Sequence, residues 1–284
     1  MQPCKGLRHL QDSNTVRSGT AAMEIDQLRA EPGFMNLVIA ATQRCGSTMI
    51  LEDLRNACVF GMPEEYFIPW YGNASRINIQ SSLQAIARKS RGPNNFNSVK
   101  IMADQLKHIE NKLSEQLSVS CDEQQFMPNV AALFKEAKWV FVQRKDVLRQ
   151  AISRHMSAET NVNHATQSAD DSHFAGNLMK GYSSSYNKNA QYSFDKIKKH
   201  CQNIVLENIT WSNFFAIHAI KPLTLSYEVF SASGNYDHLL KIAKFVGSDF
   251  NFDDHSRPKR KMVKLSNSKN DDWYLRFLCD VNQV

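Results

Sequence analysis

The sequence has no long apolar run. Its greasiest stretches, Phe34 to Thr42 and Trp211 to Ile220, are about ten residues or shorter, and a membrane-spanning helix needs ~20. No secretory leader is expected at Met1, because Lys5, Arg8, His9 and Asp12 interrupt any apolar core. The six cysteines (Cys4, Cys45, Cys58, Cys121, Cys201, Cys279) are far apart and form no C-x-x-C pair. That spacing excludes a zinc ribbon or a compact disulfide framework and predicts reduced thiols in a cytoplasmic protein. Glycine and proline are scarce, 11 and 8 of 284 residues, which excludes collagen-like and low-complexity architectures. Neither sign of charge dominates, with 34 Lys and Arg against 28 Asp and Glu, a net +6. So mild an excess suits a small phosphorylated ligand better than a nucleic-acid duplex. Its one basic run, Arg257 to Lys261 (R-P-K-R-K), reads either as a solvated loop or as a contact for such a ligand.

What remains is an ordinary globular composition, 42% hydrophobic and 10% aromatic. Residues 1–30 read as a polar extension, and residues 31–284 as a domain able to bury its own core. Leu37-Val38-Ile39-Ala40-Ala41 suits a strand buried on both faces. A helix follows, with Ile50, Leu51 and Leu54 on one side. Trp139-Val140-Phe141-Val142 begins a second such unit, in which Asp146 caps a helix bearing Val147, Leu148, Ala151 and Ile152. Ile197, Cys201, Ile204, Asn208, Trp211 and Phe215 mark one stripe of a long helix that ends by Lys221-Pro222, and Leu223 to Tyr227 reads as a further strand. Strands alternating with helices predict an α/β fold with a mostly parallel central sheet covered by helices. Between Asn161 and Asn189 the chain is polar and poor in aliphatics, as in a functional loop, a lid or a disordered insert.

Chemistry concentrates where the first strand ends. Gln43-Arg44-Cys45-Gly46-Ser47-Thr48 carries a polar, glycine-containing turn onto a helix N-terminus, where unpaired N–H groups and the helix dipole favour an anion. The nucleotide-hydrolase P-loop, G-x-x-x-x-G-K-[ST], differs in two places: Ala41 stands for its first glycine and Ser47 for its lysine. Without that lysine, a donor whose transferable group bears a single negative charge fits better than a nucleoside triphosphate, and metal is less needed. Sulfuryl transfer meets that description. Arg144 leaves the second strand nine residues before Ser153, and the two are candidates to hold a second phosphate.

The ordered motifs Q-R-C-G-S-T (43–48), P-E-E-Y-F (63–67), S-V-K-I-M (98–102), V-Q-R-K-D-V-L-R-Q-A-I-S (142–153), Y-S-F-D-K-I (192–197), Trp211 and I-K-P-L-T-L-S-Y-E (220–228) resemble the bacterial carbohydrate sulfotransferases typified by trehalose 2-sulfotransferase. The similarity runs over roughly residues 34 to 280. It implies a P-loop-like sulfotransferase fold and the donor 3′-phosphoadenosine 5′-phosphosulfate (PAPS), with no metal. It implies the 5′-phosphosulfate on Gln43, Arg44, Cys45, Gly46, Ser47 and Thr48, and the 3′-phosphate on Arg144 and Ser153, with Lys264 closing over it. Glu65 would be the general base, a role that suits a carboxylate near an acceptor hydroxyl. Arg44 would stabilise developing charge, and Lys100 would face the acceptor or the bridging oxygen. The acceptor would be a hydroxyl of a saccharide, glycolipid or related metabolite. Members of the family often form homodimers. Three positions depart from the pattern: Cys45 replaces a serine, and His155 and Asn163 replace tryptophans, which predicts an altered acceptor pocket. Two alternatives stay open, a catalytically degenerate nucleotide-binding protein of the same fold and, with less support given Ser47, a small-molecule kinase.

Overall fold

A computed structural model describes residues 37–71, 77–116, 126–232, 236–252 and 259–283. The proposed extension, residues 1–30, lies outside these, as do Arg257 and Pro258 of the basic run. Four parallel strands form the central sheet: β1 (Leu37–Ala41), β2 (Ser98–Met102), β3 (Lys138–Gln143) and β6 (Leu223–Ser226), in the order β2-β1-β3-β6. All five residues of β1 are buried, as its unbroken apolar run requires. Alternate residues divide between two cores. Val38, Ala40, Val99, Ile101, Trp139 and Phe141 face one layer. Leu37, Ile39, Ala41, Val140, Val142 and Leu225 face the other.

The first layer is built by α2 (Ile79–Ser90), α3 (Ala103–Gln116), α4 (Pro128–Leu133) and the C-terminal half of α6 (Phe194–Ile217). Trp211 of α6 is fully buried, and its indole N–H donates to the Ala41 carbonyl at 2.9 Å, so the long helix fixes the end of β1. The second layer is α1 (Ser47–Ala57), α7 (Tyr227–Ala232) and α8 (Asp237–Val246). Beside the sheet, α5 (Val147–Thr160), α6 and α9 (Ser268–Val281) share a third cluster around Ile152, Ile204 and Trp273. As the sequence predicts, Asp146 caps α5, accepting from Arg149 N at 2.8 Å. Such a cap stabilises a helix by about 1 kcal/mol.

The polar 161–189 stretch is neither a disordered insert nor a bare loop. It holds a short parallel ribbon, β4 (His164–Ala165) with β5 (Leu178–Met179), and is tied to the chain before α9. Among the described residues, no helix is long and apolar enough to cross a membrane.

The chain leaves central strand β1 toward β2 on one side and later returns as β3 on the other. In open parallel sheets, ligands bind in the crevice beyond the carboxyl ends of strands at such a switch point. Here that crevice lies between the segments following β1 and β3.

Candidate active site

The crevice is a cavity of about 670 Å³, lined among others by Gln43, Arg44, Gly46, Ser47, Thr48, Glu65, Lys100, Arg144, Ser153, Tyr227 and Lys264. Elements far apart in sequence therefore bring together every candidate residue named above except Cys45.

The floor is the β1–α1 turn. Gly46 precedes α1 with φ 93°, a left-handed conformation that glycine adopts without strain. A Cβ at this position would stand 2.4 Å from Tyr227 Cδ2, so space as well as backbone geometry demands glycine. As the first residues of α1, Ser47 and Thr48 have no intrahelical acceptor for their amides. Cys45 corrects the expectation that its amide would face an anion. Its side chain packs into the second core layer, and its N–H closes a turn on the Thr42 carbonyl at 3.3 Å. Replacing a serine by cysteine there therefore alters the core, not the cavity wall. From α5, Gln150 braces the turn, donating to Thr42 Oγ1 at 2.8 Å and to the Gln43 carbonyl at 2.7 Å.

Arg44 also sits at positive φ, 66°, where a non-glycine residue stores about 1–3 kcal/mol of strain that its surroundings must offset. Two contacts fix it. Nε donates to Ser153 Oγ at 3.1 Å, and Nη1 donates to the Asn163 carbonyl. Ser153 is thus joined to Arg44, where the resemblance implied a partnership with Arg144. Burial pushes the Arg44 guanidinium down to about 10, and the charge of Arg144 adds to the shift. Burial lowers Arg144 as well. Its guanidinium stacks 4.6 Å from the centre of the Tyr227 ring, and its Nε is buried without a hydrogen-bond partner. Two cations in one crevice, one with an unused donor, form a site short of negative charge.

Glu65 is positioned by the sheet edge. Edge strand β2 donates Lys100 N to the Glu64 carbonyl at 3.0 Å, which docks the P-E-E-Y-F loop beside it. Lys100 is buried, and its Nζ meets Glu65 Oε1 at 2.5 Å and approaches Thr48 Oγ1 at 3.5 Å. Gln105 Nε2 donates to the other Glu65 oxygen at 3.1 Å, while Gln105 Oε1 accepts from Met102 N. The Glu65 side chain is still 30% exposed, and it lines the cavity. Glu64 turns away toward Arg55, 3.6 Å distant.

His155 does not line the cavity. It is buried against Trp273, ring centres 5.3 Å apart, and bonds the Gln191 carbonyl, so the expected effect on an acceptor pocket is corrected for this residue. Asn163 does line it, next to His164. Burial pushes the His164 imidazole well below its usual range, with Arg44, Lys100 and His173 adding to the shift. Sequence reasoning missed His164, Gln105, Gln150 and Tyr227. The first lies in a stretch without periodicity, Gln105 and Gln150 look like ordinary helix residues, and Tyr227 reads as the end of a strand. Within the described part of the basic run, Lys259 and Lys261 are exposed, whereas Arg260 is not a free anion contact because it pairs with Asp53.

The family description "Stf0 sulphotransferase" matches residues 36–280. The chain belongs to the Stf0 sulphotransferase family. No curated protein matches it. Among solved structures, a sulfotransferase from Alicyclobacillus acidocaldarius is similar at 11% identity with a TM-score of 0.42, covering 87% of this chain and 93% of the other. The family match makes this protein a sulphotransferase with a parallel sheet flanked by helices, and the crevice at the end of β1 and β3 its candidate active site.

Proposed function

We propose that this sulphotransferase moves a sulfuryl group from PAPS to a hydroxyl of a carbohydrate, glycolipid or related metabolite. The observation that carries the reading is the convergence of Arg44 and Arg144 from neighbouring strand ends on one crevice, beside the free amides of the α1 N-terminus. The residues fit such a donor. Gly46 gives the turn the left-handed backbone that leads into the α1 N-terminus, and Ser47 and Thr48 add hydroxyls. Arg144 lines the cavity with its guanidinium and Lys264 with its ammonium, two cations for a second phosphate.

The donor supplies the activated sulfuryl group, and the protein aligns it and manages charge. In the transfer, an acceptor oxygen bonds to sulfur as the bond from sulfur to the bridging phosphate oxygen breaks. Glu65 takes the hydroxyl proton. Lys100 couples the two ends of this event. Once Glu65 is protonated, the Lys100 ammonium loses its counter-charge and is left to stabilise negative charge growing on the bridging oxygen, close to Thr48. Arg44 and the amides of Ser47 and Thr48 stabilise the sulfuryl oxygens. The leaving molecule is adenosine 3′,5′-bisphosphate. Asn163, His164 and Asn177 line the same cavity and supply polar contacts for a hydroxylated acceptor.

Glu65→Gln keeps the shape and a hydrogen bond to Gln105 while removing the base. Titration calorimetry is expected to show unchanged bisphosphate affinity in this variant. Turnover, followed with labelled donor and the acceptor it labels in a cell extract, is expected to fall about 10²–10⁴-fold. Wild-type turnover in Glu65→Gln would remove the carboxylate from this role. Absence of bisphosphate binding by the unaltered protein would remove the donor itself.

A further inference from the structure

Two adjacent carboxylates lie in the middle of α1, on the helix whose N-terminus floors the crevice, and neither lines that cavity. Glu52 and Asp53 are both buried, Asp53 completely. An amphipathic helix normally spends such positions on apolar side chains. Burying carboxylates is costly unless each is paired, and well-packed apolar residues often serve stability at least as well.

Apart from His238 of α8 and His173, whose Nε2 lies 3.7 Å from Glu52 Oε1, their partners lie on a strap, residues 259–266. Asp53 receives Arg260 through two bonds, Nε to Oδ1 at 2.8 Å and Nη2 to Oδ2 at 2.7 Å, and its Oδ2 also meets His238 Nε2 of α8 at 2.8 Å. Glu52 Oε1 accepts the next backbone amide, Lys261 N, at 2.6 Å, and more weakly Met262 N at 3.3 Å. One carboxylate holds a side chain and the other holds main chain, so the strap is fixed in both position and register. From that anchor it crosses the β4 segment, where Val263 N donates to the Ala165 carbonyl at 3.0 Å, and Met262 to Ser266 then form one wall of the cavity. The dimensions agree. Asp53 lies six residues below Ser47, about 9 Å along the helix axis. Four residues of extended chain, from Arg260 to Lys264, span about 13 Å. The strap can thus run back along α1 from the carboxylates to the anion cradle.

We infer that Glu52 and Asp53 are positioning residues: from the buried side of α1 they clamp the 259–266 strap and set Lys264 and its neighbours against the crevice, so that ligand affinity depends on two carboxylates outside the cavity. This rests on the donor reading above for the identity of the ligand. One consequence is that the helix bearing the anion cradle and the strap opposite it move as a unit.

The experiment uses the full chain and two readouts. In the first, Asp53→Asn is digested with trypsin under native conditions and cleavage after Arg260 and Lys261 is timed by mass spectrometry. About tenfold faster cleavage than in the unaltered protein is expected, since opening of the strap tracks its lost anchor. In the second, adenosine 3′,5′-bisphosphate is titrated into each protein by calorimetry. Affinity is expected to weaken about tenfold or more in Asp53→Asn, because a shift of ~1 Å in a positioning group is felt at that scale. Ile204→Ala, a core change in α6 that touches neither strap nor cavity, serves as the control, and it should lower the melting temperature while leaving affinity and cleavage as they were. If Asp53→Asn does not fold, Arg260→Met, which leaves Asp53 bonded to His238, takes its place with cleavage read after Lys261. Unchanged cleavage overturns the clamp. Faster cleavage with unchanged affinity overturns its link to the site. An unaltered protein that ignores the bisphosphate overturns the donor reading instead, and the cleavage arm still decides the clamp.

Discussion

Arg44 and Arg144 occupy equivalent places, each just beyond the carboxyl end of neighbouring parallel strands, and the protein uses them differently. Arg44 is committed. It holds Ser153 on α5 and the Asn163 carbonyl at the start of the polar ribbon, and it accepts a left-handed backbone to do so. Arg144 lies on an aromatic face, with Tyr227 beneath it and Nε unpaired. The first arginine therefore builds the crevice and charges it, whereas the second only charges it. A resemblance in motifs cannot separate these roles, because both residues read simply as basic positions after a strand.

The most severe test of that difference is Arg44→Met. It removes the donor to Ser153 and leaves the Asn163 carbonyl without its guanidinium partner, a loss of about 1–3 kcal/mol in stability for the stranded acceptor. The same change deletes a charge where the sulfuryl oxygens would lie, which at comparable sites costs about 10²–10³-fold in turnover. A falling melting temperature together with a falling rate is the expected result. A variant that loses rate but keeps full stability would show that Arg44 does not build the site.

How much of this was legible in the sequence follows from which forces were local. The strand at 37–41, the cap at Asp146 and the stripe of α6 were readable because they depend on neighbours within one or two turns. The candidate site was readable as a set of positions, since the strand-turn-helix pattern fixes where an anion can dock. The direction each side chain faces was not. Cys45 turned into the core because tertiary packing claimed it, and His155 found Trp273, a partner more than a hundred residues away. The strap escaped notice because its meaning lies in a pairing of distant charges. A trace of it was visible, however, since Glu52 and Asp53 interrupt the apolar side of α1 and a basic run lies near the other end of the chain.

Arg144→Met is the milder counterpart. The methionine keeps an apolar chain over Tyr227 and removes a buried donor that has no partner, so the melting temperature should hold within the ordinary range for a neutral change. Adenosine 3′,5′-bisphosphate affinity, read by calorimetry, should nonetheless fall about tenfold or more, with a weaker dependence on salt, as expected when one charge-assisted contact is lost. Equal stability losses in Arg44→Met and Arg144→Met would erase the distinction between them.

The smallest effect is carried by His164, whose surroundings report the charge that Arg44 brings into the crevice. Burial, followed by Arg44, Lys100 and His173, pushes its imidazole well below the usual range. The fold thus favours the neutral ring, and the unfolded chain binds the proton more readily. His164's share of stability is fully present above the unfolded pKa of about 6.5 and is lost as pH falls below that value toward the depressed one. His155 and His200 are lowered too, again chiefly by burial, so part of the acid sensitivity belongs to them. His164→Asn should therefore flatten, without abolishing, the drop in melting temperature between about pH 7 and pH 5. In the Arg44→Met background the same substitution should flatten it less, because one of the cations holding the imidazole down is already gone. Thermal melts of the four proteins across that pH range read the difference directly. An identical His164 contribution with and without the guanidinium would mean that Arg44 directs its charge away from this wall of the crevice.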